Sequence, residues 1–93
     1  MRESQIEWHL VKRVEWLGGM ALKFTSPGRR SVPDRIVLMP GGVVRFVEVK
    51  APGEVPTPAQ EREHARLRAM GFCVCVLDDK KAVDAWLDIW RTR

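Results

Sequence analysis

The chain has 93 residues, 45% of them hydrophobic and 30% charged, which suits one compact domain spanning 1–93 and leaves no room for a second. Its apolar runs fall far short of the roughly 20 residues that cross a bilayer, and the start MRESQIEWHL carries charges where a signal peptide needs an apolar stretch, so a cytoplasmic protein is expected. Sixteen Lys and Arg against twelve Asp and Glu leave +4, a balance that admits a nucleic-acid partner without requiring one.

In chain order, Ile6, Leu10, Val11, Val14 and Leu17 recur at helical spacing and predict a helix over 3–17, stopped by Gly18-Gly19. Residues 20–25 read as a short strand. The segment SPGRRSVP is an exposed loop, and 35–39 is a second strand rich in branched apolar residues. Pro40-Gly41-Gly42 is a turn that joins it to a third strand over 43–50 as an antiparallel hairpin. After APGEVP, Thr57 at the N-cap, Pro58 at N1 and Gln60 at N3 spell a capping box for a helix that ends at Gly71. A fourth, almost wholly apolar strand over 72–77 is expected to have both faces covered. A last helix over about 79–90 buries Ala82, Val83, Trp86, Leu87 and Trp90. Cys73 and Cys75 lack the CxxC spacing of zinc and redox sites and read as core thiols. The expected class is α/β in the order α-β-β-β-α-β-α, a mixed four-stranded sheet flanked by helices.

The chemistry concentrates on one hairpin. Glu48 and Lys50 lie two apart in the third strand, so both point to one sheet face while Val47 and Val49 point to the other. Asp34 starts the neighbouring strand after Pro33, so it can approach Glu48 and give two carboxylates beside an ammonium. That set suits a hard cation such as Mg²⁺, which takes one or two carboxylates, keeps waters and accepts phosphate oxygens. The implied reaction is phosphodiester hydrolysis. Lys23, Arg29, Arg30 and Arg35 surround Asp34 on the open basic segment KFTSPGRRSVPDR, where guanidinium groups suit DNA phosphates. His9 and His64 have no partner at ligand spacing and read as surface or packing residues.

Pro33-Asp34, thirteen intervening residues, then Glu48-Val49-Lys50 resembles the PD-(D/E)XK nuclease motif. The wider string SPGRRSVPDRIVLMPGGVVRFVEVKAPGEVPTPAQ resembles the VRR-NUC branch of that superfamily, and the similarity covers nearly the whole chain. The resemblance implies a restriction-endonuclease-like core and a DNA endonuclease dependent on Mg²⁺ or Mn²⁺. It assigns Asp34, Glu48 and the Val49 backbone carbonyl to the metal, Lys50 to catalysis, and a role to Gln60 at the start of the following helix. It also implies a glutamate on the first helix near the metal, here Glu3, with Glu7 as the alternate. Small nucleases of this type fit a phage or mobile element, hence a bacterial or phage-infected host cell.

Compact members without extra domains include four-way (Holliday) junction resolvases, so a homodimer acting on branched DNA is expected. Trp8, Trp16, Trp86 and Trp90, all on the first and last helices, offer it an interface. The competing readings are a module that keeps the fold only to bind DNA or protein, and a nicking or restriction-type endonuclease, for which the chain shows no recognition domain.

Overall fold

The computed structural model describes residues 1–91, and for residues 90 and 91 the backbone alone. Seven elements follow in order: α1 (Glu3–Trp16), β1 (Met20–Lys23), β2 (Arg35–Met39), β3 (Val43–Val49), α2 (Pro58–Ala69), β4 (Cys73–Leu77) and α3 (Lys80–Arg91). The order and class match the expectation; β2 has the expected bounds, while α1, β1, β3, α2 and β4 are shorter than the pattern suggested. β1 stops at Lys23 rather than Thr25, although the Phe24 amide still donates to the Asp34 carbonyl over 2.9 Å. β3 stops at Val49, and the Lys50 amide turns to the Leu77 carbonyl at 3.0 Å.

The first two helices end in the same way. In α1 the Gly19 amide reaches back to the Val14 carbonyl and Gly18 to Glu15; in α2 Phe72 reaches Leu67 and Gly71 reaches Arg68. These paired bonds close the last carbonyls when the residue after the cap turns left-handed, as Gly18 (φ 86°) and Gly71 (φ 96°) do without the Cβ penalty. Phe72 is thereby drawn into the helix end and excluded from β4. At the other helix, Asp79 caps α3 by accepting the Ala82 amide on Oδ1 at 2.6 Å.

The sheet order is β1-β2-β3-β4, antiparallel except for the parallel pair β3–β4. α1 and α3 cover one face, where Ile6, Leu10, Val14, Val37, Val47, Val49, Val83, Trp86 and Leu87 form the core. A side chain fully buried there contributes about 1.5–3 kcal/mol relative to an exposed one. His9 and Arg13 of α1 both bond Asp84 of α3, at 2.8 and 3.3 Å, tying the two helices at the rim. Trp86 belongs to this core, so it is withdrawn from any intersubunit surface, whereas Trp8 and Trp16 are exposed on α1. Trp90 lies outside the described side chains.

β4 is an edge strand, with Val74 and Leu77 buried but Cys73, Cys75 and Val76 only half-buried, so its apolar run exceeds its burial. The thiols are free, 3.8 Å apart, and burial together with Cys73 pushes Cys75 up to about 11. Among the described residues no helix is long and apolar enough to cross a membrane.

Candidate active site

The opposite sheet face is built differently. Phe24, Phe46 and Phe72 lie in series across it, the first pair tilted and the second edge to face, with ring centroids 5.7 and 5.6 Å apart. The helix that covers it, α2, buries Glu63 and His64 instead of an apolar stripe. Gln60, Glu63, His64 and Leu67 share its inner side at i, i+3, i+4 and i+7 spacing. A polar helix over a sheet face leaves room for polar groups between them.

Those groups come from the end of the hairpin. The β2–β3 register pairs Arg35 with Val47 as its last step. One step further sets Asp34 opposite Glu48, beyond the ladder, where Asp34 Oδ2 takes the Val49 amide at 2.7 Å in place of a strand carbonyl. Asp34 is half-buried and Glu48 is 2% exposed. Lys50 Nζ stands 3.7 Å from Glu48 Oε2, on the same face, as the two-residue spacing predicts.

Glu48 is held from the other side by α2. Gln60 Nε2 donates to Glu48 Oε2 at 3.1 Å, and His64 Nε2 lies 3.6 Å from Oε1. Burial first, and then the charge and hydrogen bonding of Asp34, push the Glu48 carboxyl up to about 7, with Lys50 opposing and Glu3 adding to the rise. Negative charge is therefore undercompensated in the pocket, and Glu48 Oε1 has no hydrogen-bond partner. Both features fit a cation. Among the described residues no group of three or more His, Cys, Asp or Glu side chains is placed to hold a metal ion.

The two helix-1 acids part company. Glu7 Oε2 is engaged by Arg35 Nε at 2.7 Å and Lys23 Nζ at 3.3 Å. Glu3, at the exposed start of α1, is the one whose charge reaches Glu48. Of the basic residues expected at DNA, Lys23 and Arg35 are thus tied to Glu7, and Arg29 grips Glu63 through two bonds of 2.8 and 2.7 Å. Arg30 is exposed on the loop.

Sequence reasoning missed His64 and Glu63 as parts of this region. His64 is fully buried against Glu48, and Glu63 is the anchor of the basic loop. The available signal was their i+3 and i+4 spacing from Gln60, on a helix whose one large apolar residue is Leu67.

No family model matches the chain. A protein of Acyrthosiphon pisum secondary endosymbiont phage 1, named "Putative nuclease p44", is 61% identical over 80 residues, covering 86% of each sequence. A solved structure titled "VRR_NUC domain" superimposes with a TM-score of 0.89 at 39% identity, over 92% of this chain and 94% of that one. With identity at this level over most of both chains, and with the fold in common, the chain belongs to the VRR-NUC nuclease family.

Proposed function

We propose that this nuclease is a DNA endonuclease dependent on Mg²⁺ or Mn²⁺, acting as a homodimer on branched DNA and preferring four-way junctions. The observation that carries the hydrolytic reading is the convergence of Asp34 and Glu48 just past the β2–β3 ladder, with Lys50 Nζ 3.7 Å from Glu48. In this reading Asp34, Glu48, the Val49 carbonyl and Glu3 hold the metal. A bound divalent ion supplies Lewis-acid polarisation of the phosphoryl oxygen and a bound water of lowered pKa.

The chain's own groups do the rest. The Lys50 ammonium stands where negative charge develops on the phosphate and steadies it in a site already arranged for that purpose. The Val49 amide holds Asp34 by Oδ2, and the Gln60 amide holds Glu48 by Oε2, which limits how far either carboxylate can reorient during reaction. Arg30, and Arg29, Lys23 and Arg35 after exchanging a carboxylate for a phosphate, supply the contacts to the DNA backbone.

Trp8 and Trp16 support the dimer, since large aromatic residues exposed on one helix favour interface cores. A two-fold pair presents two identical sites, which symmetrical cleavage of a junction requires. The test is cleavage of supercoiled plasmid, linear duplex and a synthetic four-way junction with and without Mg²⁺, alongside sedimentation. Junction cleavage that needs the metal, by a species of twice the 10.7 kDa chain mass, is expected. Cleavage unaffected by chelator overturns the metal dependence, and a monomer that cuts linear duplex equally well overturns the junction reading.

A further inference from the structure

His64 is fully buried, yet neither ring nitrogen has a hydrogen-bond partner, and Nε2 lies 3.6 Å from Glu48 Oε1, which is also without a partner. Leaving a buried polar group unpaired costs about 1–3 kcal/mol, and here two such groups face each other across a gap just too long for a hydrogen bond. The gap is closed by a few tenths of an ångström of side-chain movement. Glu48 Oε2 is meanwhile occupied by Gln60 at 3.1 Å and faces Lys50. Gln60 and His64 are one helical turn apart on α2, so a single rigid element meets both oxygens of one carboxylate.

We propose that His64 is a positioning residue, whose ring N–H pins Glu48 Oε1 when Glu48 takes a divalent metal, and so fixes the plane in which the carboxylate is presented. The inference rests on the reading of Glu48 as a metal ligand. A neutral imidazole donates one ring N–H and adds no charge that would compete with a cation. Ligating carboxylates are commonly steadied in this way, and loss of such a partner costs about 10–100-fold in metal affinity.

The test is titration of DNA-free protein with Mn²⁺ alone, followed by the electron paramagnetic resonance of the free ion, with a thermal melt of each variant. Glu48→Ala establishes whether the site exists. His64→Leu, which fills similar space without a donor, is expected to weaken Mn²⁺ binding at least about tenfold while still melting cooperatively. His64→Gln, which keeps an N–H, is expected to bind within a few-fold of wild type. Should the leucine variant fail to melt cooperatively, His64→Met, whose flexible chain adapts to the same space, takes its place in the comparison. Packing alone predicts lower melting temperatures but unchanged Mn²⁺ affinity of the folded protein. Wild-type affinity in the folded apolar variant, with binding lost in Glu48→Ala, overturns the role of His64 and leaves the metal site standing. Wild-type affinity in Glu48→Ala overturns the site itself and the inference with it.

Discussion

Gln60 and Glu48 are joined by a 3.1 Å hydrogen bond from the amide nitrogen to Oε2, while the oxygen of the same amide accepts the Thr57 backbone N–H at 2.9 Å. The two ends of one side chain thus cap α2 and hold the buried acid, so helix capping and service to the site are not alternatives. Replacing Gln60 by Ala removes both bonds. A loss of about 1 kcal/mol in urea unfolding is expected from the cap, together with a fall in single-turnover cleavage. Gln60→Glu keeps an acceptor for Thr57 but sets another acid against Glu48, so stability at neutral pH should fall less than cleavage does. Equal losses in both measurements would reduce Gln60 to a capping residue.

Asp34→Ala and Glu48→Ala are expected to lower cleavage by about 10³-fold or more, the equivalent of several kcal/mol of metal-based stabilisation, while DNA binding survives on the basic loop. Glu48 also has a stability signature. Its pKa is raised to about 7 in the folded chain, so without metal its ionisation opposes folding. The metal-free protein should lose stability as pH rises from the ordinary glutamate range, 4.5, toward 7, and Glu48→Gln should remove that slope. Melting scans between pH 5 and about 8 with chelator present check the sign.

Lys50→Met keeps the apolar stem and removes the charge. Single-turnover cleavage should fall about 10²–10³-fold, as when one preorganised electrostatic contact is lost, with Mn²⁺ affinity little changed. A wild-type rate in this variant would make Lys50 a strand residue only.

The Arg29–Glu63 pair gives the opposite pH dependence. Its hydrogen bond to Arg29 holds the Glu63 carboxyl below its ordinary value, so the stability it contributes is present above 4.5 and is lost as pH falls through the lowered folded value. Glu63→Gln should flatten this acid-side loss in equilibrium unfolding followed below pH 4.5. It also releases Arg29, and DNA binding should gain in affinity and steepen in salt dependence if the guanidinium then meets a phosphate.

Gly19→Ala tests the contact between the end of α1 and the sheet. A Cβ there would lie 2.5 Å from the Leu38 carbonyl oxygen and 2.5 Å from Met39 Sδ. The carbonyl is strand backbone and yields little, so a loss of about 1–3 kcal/mol is expected from overpacking. Urea denaturation checks it; an unchanged midpoint would mean that the helix end shifts freely.

The sequence by itself determined the order of elements and the meeting of Asp34 with Glu48, because both follow from local rules. Helical spacing in Ile6, Leu10 and Val14 and the glycines after the first two helices mark α1 and the ends of α1 and α2. The three-residue turn Pro40-Gly41-Gly42 fixes the hairpin register, and that register carries Asp34 to a place opposite Glu48. The two-residue spacing likewise placed Lys50 beside Glu48.

Only the tertiary structure decided which side chains lie inside. The sequence marks where α2 starts and ends but not what it covers, and it is its seat over the polar end of the sheet that buries Glu63 and His64. Spacing offered Trp86 both to the buried stripe of the last helix and to an interface, and the packing of α1 and α3 on each other takes it into the core while leaving Trp8 and Trp16 outside. Glu3 and Glu7, a turn apart, are separated by partners from distant segments, since Arg35 and Lys23 claim Glu7 alone. Each of these outcomes depends on contacts between residues far apart in the chain, which periodicity within one element does not encode.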